Sequence, residues 1–202
     1  MAEFVGQLAR AFSQTSPIEM AAVALAVAYL LLAIAQRIEC WAAAFVSSCL
    51  YVWIFFRAHL YMESGLNGFY ALMAAYGFRQ WQHGKGGGAL PVSRWPLDRH
   101  LMALAAVVVL SLISAYPLRR FTPAAWPFVD SMVTWSSVFA TFLVARKVYE
   151  NWHWWLVIDS IGAYLYFTRR LYATMMLYAL YVLLIIVGMR RWRHSLSKHA
   201  LA

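Results

Sequence analysis

The feature that most constrains this chain is an internal repeat. The stretch from His59 to Trp81, HLYMESGLNGFYALMAAYGFRQW, matches Arg170 to Trp192, RLYATMMLYALYVLLIIVGMRRW, without a gap, at an offset of 111 residues. Leu60, Tyr61, Leu66, Tyr70, Leu72, Gly77, Arg79 and Trp81 recur as Leu171, Tyr172, Leu177, Tyr181, Leu183, Gly188, Arg190 and Trp192. The same register runs backward through Glu39 and Glu150, Trp41 and Trp152, Val46 and Val157, Phe56 and Phe167 and, more weakly, Glu19 and Asp130. Leu and Tyr matches arise readily in a chain that is 63% hydrophobic. A shared Glu-x-Trp beginning and Gly-x-Arg-x-Trp ending in one register do not, so the two stretches are copies of one structural unit.

That unit cannot be a soluble one. With only 12% charged residues among 202, the chain has too little polar surface to cover a water-exposed fold. Within a bilayer every backbone polar group must be paired inside the segment, which leaves helices of ~20 residues as the natural spanning element. Seven apolar segments fit: Ile18 to Gln36, Cys40 to Phe56, Leu60 to Trp81, Leu101 to Ala115, Phe128 to Ala145, Glu150 to Phe167, and Leu171 to Met189. The repeat maps spans one to three onto spans five to seven, and the odd fourth span returns the chain to the side it started from. Both halves therefore point the same way, related by an axis along the membrane normal. The expected fold class is an all-α integral membrane protein of seven helices in a 3+1+3 plan.

The expected organisation is a leader over 1–17, a first three-helix repeat over 18–82, a polar loop with linking helix over 83–123, a second repeat over 124–192, and a tail over 193–202. The leader either lies on the membrane as a short interfacial helix over Phe4 to Phe12 or is unstructured. The Ala33-Ile34-Ala35 of the first span resembles a signal-peptidase site, but the apolar run is long for a signal peptide, the leader is not clearly basic, and the repeat requires this helix. The one real linker, His83 to Arg99, contains GKGGG and two prolines.

A net charge of +9 invites a nucleic-acid reading, but the Lys and Arg residues sit in the short connections rather than on one amphipathic face. They are topogenic. Eleven of the 17 cluster on the side of Arg37, Arg79, Arg146 and Arg190, and six, including Arg57, on the other, which predicts N-terminus out and C-terminus in. Cys40 and Cys49 lie in one span and suggest neither a disulfide nor a metal pair, and His59 and His153 lack a second ligand at metal spacing. No Ser-His or Cys-His pair falls at matching depth, and neither a Walker A nor a His-Glu-x-x-His motif occurs, so an enzyme is not expected.

The sixth span carries the anomaly. Asp159 sits at its middle, where a carboxylate costs at least ~2.5–3.5 kcal/mol unless it faces the bundle or a wet cavity. At helical spacing Trp152, Trp155, Asp159, Gly162 and Tyr166 share one face. The repeat sets Ser48 against Asp159, Tyr51 against Gly162, Asn67 against Tyr178, and Tyr70 against Tyr181. Several of these residues also have plain structural explanations. Trp152 lies near the end of its span, where an interfacial anchor is as natural as a ligand contact; Gln80 can simply end its helix; Tyr70 and Tyr181 can be packing; Glu63 suits a wet rim.

The run LVARKVYENWHWWLVIDSIGAYLYF, Leu143 to Phe167, with a later Gly188-Met189-Arg190-Arg191-Trp192 and the earlier YGFRQW of Tyr76 to Trp81, resembles the PnuC family of bacterial nicotinamide riboside transporters. Glu150-Asn151-Trp152-x-x-Trp155 followed by Asp159 is the specific part, and the similarity covers nearly the whole chain after the leader. The resemblance implies a SWEET-like 3+1+3 fold and facilitated uptake, across the bacterial inner membrane, of a vitamin that a cytoplasmic kinase then traps for NAD biosynthesis. Nicotinamide riboside is a pyridinium cation on a ribose, so a site for it needs aromatic faces, an acceptor and hydroxyl partners. The candidate substrate-binding residues are Trp152, Trp155, Asp159, Asn67, Tyr70, Ser48, Gln80, Asn151, Tyr178 and Tyr181. Thiamine, riboflavin or a deoxynucleoside is the alternative cargo. No cofactor or metal is expected; the expected partners are the substrate and the lipid bilayer, with a homo-oligomer, a trimer, as the expected assembly.

Overall fold

A computed structural model describes residues 16–59, 61–83, 90–121, 126–168 and 172–199. Leader residues 1–15, with the interfacial helix expected over Phe4 to Phe12, and the GKGGG run lie outside these. Among the described residues there are seven helices: α1 Pro17–Ile34, α2 Cys40–Arg57, α3 Tyr61–Gln82, α4 Leu97–Phe121, α5 Pro127–Ala145, α6 Asn151–Thr168 and α7 Tyr172–His199. The all-α, seven-helix expectation holds, with α4 and α7 longer than the apolar segments that announce them. Helix α1 starts on a capping box, in which the Ser16 hydroxyl accepts from the Glu19 N–H and the Glu19 carboxylate accepts from the Ser16 N–H. Two backbone donors that α1 cannot satisfy internally are thereby paired.

Five of the helices contain windows long and apolar enough to cross a membrane by themselves. The two that fall short, α3 and α6, carry the polar positions of interest, including Ser64, Asn67 and Gln80 on α3 and Asn151, Asp159 and Ser160 on α6. In each half the middle helix packs on both its neighbours, α2 between α1 and α3 and α6 between α5 and α7. The halves meet through α3 against α5 and α1 against α7, and α4 packs on α5.

The repeat symmetry is carried by four tryptophans at the end of the bundle that bears Arg37, Arg79, Arg146 and Arg190, called here the basic end. The Trp81 indole N–H donates to the Val144 carbonyl at 3.2 Å, and the Trp192 indole N–H donates to the Ala33 carbonyl at 3.1 Å. Both donor and acceptor positions are 111 residues apart, so each half pins the other through the same bond. Trp41 meets Trp81 edge-on at 5.5 Å, Trp152 meets Trp192 edge-on at 5.3 Å, and Trp81 and Trp192 approach to 6.2 Å between the halves. Gly77 and Gly188 make this packing possible, since a Cβ built at either would overlap the indole of Trp41 or Trp152. Gln36 and Lys147, again one repeat apart, both take left-handed backbone with φ of 57° and 49°, and turn the chain into the next helix.

The symmetry breaks at the turn before α6. Glu39 is exposed and pairs with Arg37 at 2.6 Å. Its counterpart Glu150 instead accepts from the Trp95 N–H at 3.2 Å and lies 3.5 Å from Arg94 and 3.9 Å from the His100 ring. Ser93 and Lys147 to Tyr149 add a single parallel β-bridge, with the Ser93 N–H donating to Lys147 O and the Tyr149 N–H to Ser93 O. The segment before α4, which reads as plain linker in sequence, is thus a strap across the α5–α6 turn.

Candidate substrate cavity

A cavity of about 180 Å³ opens within the first half, where the second half closes it. Helix α1 contributes Ala26 and Tyr29; α2 contributes Trp41, Ala44, Ser47, Ser48 and Tyr51; α3 contributes Asn67 and Tyr70. Thr141 on α5 and Trp155 on α6 complete the wall. The small residues Ala26 and Ala44 leave the space that the aromatic rings then border. Four of the sequence-predicted residues, Ser48, Asn67, Tyr70 and Trp155, are brought together here from three helices.

The polar groups of this wall are mostly oriented by their own scaffold. The Ser47 hydroxyl donates to Ala22 O at 2.9 Å, Thr141 donates to Ser137 O at 2.7 Å, and the Asn67 amide N–H donates to Glu63 O at 2.9 Å. The Tyr70 hydroxyl lies near Ser137 of α5, on the other side of the boundary between the two halves. Asp159 is buried one helical turn beyond Trp155, close enough to Tyr70, Tyr178 and Tyr181 for its charge to act on all three. No Lys or Arg lines the cavity. Its chemistry is aromatic faces and hydroxyl or amide groups beside a single carboxylate.

The corresponding space in the second half is filled. Where the first half has Asn67, the second has Tyr178, whose ring lies on Gly162 and meets Tyr166 at 5.1 Å and Tyr181 at 6.0 Å. The open cavity is therefore displaced toward the first half, because Tyr178 takes up volume that Asn67 leaves free.

Other predicted residues lie elsewhere. Trp152 is 2% exposed, locked between Gly188 and Trp192, and outside the cavity wall. Asn151 is fully buried at the start of α6, where its amide donates to Val148 O at 2.6 Å. Gln80 is half-buried on the last turn of α3, away from the lining. Sequence reasoning left out Tyr29, Trp41, Tyr51 and Thr141 as wall residues. Trp41 and Tyr51 were reachable through the repeat, as partners of Trp152 and Gly162. Tyr29, on a strongly apolar span and opposite Ala140 in the repeat, carried no signal.

Beneath the cavity, at the basic end, Lys147 is 5% exposed and sets its ammonium 4.3 Å from the centre of the Trp81 ring. Burial pushes its pKa below the usual lysine value, with the Cys40 side chain acting weakly in the other direction. The indole face supplies part of the charge stabilisation that water would otherwise give.

The sequence profile of the nicotinamide mononucleotide transporter family matches residues 16–194. The chain belongs to that family. It is a family of membrane transporters, not enzymes, and the chain is accordingly a multi-pass membrane protein. Among characterised proteins it is similar to the riboflavin/roseoflavin transporter RibM of Streptomyces davaonensis, at 30% identity over 145 residues, covering 68% of this chain and 66% of that one. It is also similar to the nicotinamide riboside transporter PnuC of Escherichia coli, at 27% identity over 168 residues, covering 70% of each. Its fold matches the crystal structure of the vitamin B3 transporter PnuC with a TM-score of 0.72 at 20% identity, over 98% of this chain and 90% of that one. The resemblance read from the Glu150 to Asp159 motif is thereby confirmed at the level of family and fold.

Proposed function

We propose that this protein takes up nicotinamide riboside by facilitated diffusion, with the N-terminus outside and the basic end in the cytoplasm. The observation that carries the reading is the cavity wall, which joins Trp155, Trp41, Tyr29 and Tyr70 to Ser48 and Asn67 beside Asp159 with no cation among them. A pyridinium ring gains ~2 kcal/mol or more from a desolvated indole face, and a ribose needs the hydroxyl and amide partners. A phosphate in the same space would meet no Arg or Lys, and its desolvation would go uncompensated. The dephosphorylated nucleoside is therefore the cargo, rather than the mononucleotide.

Riboflavin is the second reading, favoured by the similarity to the Streptomyces protein. Size argues against it. Both cargoes exceed a cavity of about 180 Å³, and the larger tricyclic flavin would need the greater widening of it. Passage to the cytoplasm requires the Trp81 and Trp192 contact to part, together with the cross-half bonds from Trp81 to Val144 and from Trp192 to Ala33 that close the basic end. A binding titration of the purified protein against nicotinamide riboside, nicotinamide mononucleotide, thiamine and riboflavin tests the assignment. Saturable binding of nicotinamide riboside alone supports it, and equal affinity for nucleoside and mononucleotide, or tighter binding of riboflavin, overturns it.

A further inference from the structure

A second concavity lies on the outer flank of the second half, between α4, α5 and α6, with a volume of about 450 Å³. Phe128, Met132 and Val133 of α5, Val157 and Ile161 of α6, and Leu104 of α4 form its walls. The repeat does not reproduce it, because α4 has no counterpart in the first half. From His153 near the start of α6 to Phe128 near the start of the antiparallel α5, it extends roughly 20–25 Å at ~1.5 Å per residue. That is most of the ~30 Å hydrocarbon thickness.

A polar solute does not fit this groove. Of its few polar side chains, Ser136 is buried and the Trp154 indole N–H is already donated to the His100 ring at 3.3 Å. A vitamin placed there would leave its own donors and acceptors unpaired. A long flexible hydrocarbon chain loses nothing by entering. The groove also has a polar end, where Arg94 and Arg99 stand beside Glu150 and Asp98. His153 lines it at the basic end, and its ring packs edge-on against Tyr149, over which the Arg94 guanidinium sits at 5.3 Å. Arg99 lies over Trp95 at 5.5 Å, and Trp95 leads through His100 and Phe139 to Trp154 on the groove wall. Glu150 offsets Arg94, while Arg99 is exposed and engages only the Trp95 ring among the contacts described for it.

An apolar furrow of acyl-chain length, ending in a cluster of aromatic rings and arginines at headgroup depth, matches one chemistry. We propose that this groove is a binding site for an anionic phospholipid of the leaflet on the basic side, with one acyl chain between α4, α5 and α6 and the phosphate at Arg99 and His153. The lipid would fill the flank where α4 departs from the repeat, and so brace α4 and its strap against the second half.

The test uses purified full-length protein in nanodiscs of mixed phosphatidylglycerol and phosphatidylcholine, with retained lipid counted by native mass spectrometry. The wild type is expected to keep phosphatidylglycerol over phosphatidylcholine by about tenfold. Arg99→Gln should bring that ratio near one without lowering the total retained. Val157→Trp, which fills the furrow from an exposed position, should release lipid of both kinds. Met132→Trp serves as a second filler, and both are read on protein that keeps the wild-type helix content and nicotinamide riboside affinity. Absence of headgroup preference in the wild type overturns the proposal, as does undiminished retention with both fillers. Disulfide cross-linking of Val157→Cys between two copies in native membranes would show a second copy of the chain in the groove instead.

Discussion

Trp152 and Trp155 stand three residues apart on α6 and provide a matched pair of perturbations. Trp155 is a half-buried part of the cavity wall that also packs on the edge of the core, so Trp155→Ala removes an aromatic face from the substrate at a smaller packing cost than a fully buried tryptophan would carry. A cation-π contact of ~1–2 kcal/mol corresponds to a roughly five- to thirtyfold weaker Kd. Trp152 is buried at 2% exposure against Gly188 and Trp192, so Trp152→Ala opens a cavity in the packing between α6 and α7. In a soluble core that truncation costs ~3–5 kcal/mol. In lipid the hydrophobic transfer contribution is largely absent and lost packing dominates. A loss of about 2 kcal/mol is therefore expected, seen as a clear fall in melting temperature. Calorimetric titration with nicotinamide riboside and thermal unfolding, run on the same preparations, read both quantities. Weakened binding with the smaller fall in melting temperature for Trp155→Ala, and unchanged binding with the larger fall for Trp152→Ala, is the expected outcome. A loss of affinity without destabilisation at Trp152 would place that residue in the site and refute the assignment of the cavity to the first half.

Other perturbations probe the remaining parts. Asp159→Asn keeps the shape of α6 but weakens acceptor strength beside Tyr70, Tyr178 and Tyr181, and should raise the Kd for nicotinamide riboside roughly ten- to hundredfold, as expected for loss of a charged hydrogen bond worth ~1.5–3 kcal/mol; unchanged affinity with a lowered melting temperature would make Asp159 a structural group. Gly188→Ala should destabilise by ~1–3 kcal/mol despite alanine's better helix propensity, because the added methyl meets the Trp152 indole, which has no room to withdraw; thermal unfolding would show this, and a stabilised protein would contradict it. Cysteines substituted at Lys85 and Lys198 should react with an impermeant maleimide only after the cytoplasmic face is opened, and labelling of Lys198→Cys in intact cells would reverse the proposed orientation.

Much of the architecture was legible in the sequence because two strong rules act on it. A bilayer admits only internally paired backbone, so apolar segments of the right length had to be helices. A repeat with an odd helix between its copies had to be parallel, and the pairing of residues 111 apart followed without coordinates. The Trp-Gly wedge could also be foreseen in part, since Glu-x-Trp and Gly-x-Arg-x-Trp were the most distinctive matches, but their purpose was not. Only the packed structure showed that Trp152 is a wedge and Trp155 a wall, because residues three apart on a helix share a face while their depth and neighbours are set by other helices. The displacement of the cavity into the first half was likewise decided in three dimensions. Asn67 and Tyr178 occupy the same register, and their different volumes leave one space open and fill the other. The strap from Ser93 to Trp95 was hidden for a related reason. Its bonds run to backbone groups of Lys147 and Tyr149 and to Glu150, and a segment held by partners more than fifty residues away leaves no periodicity of its own to read.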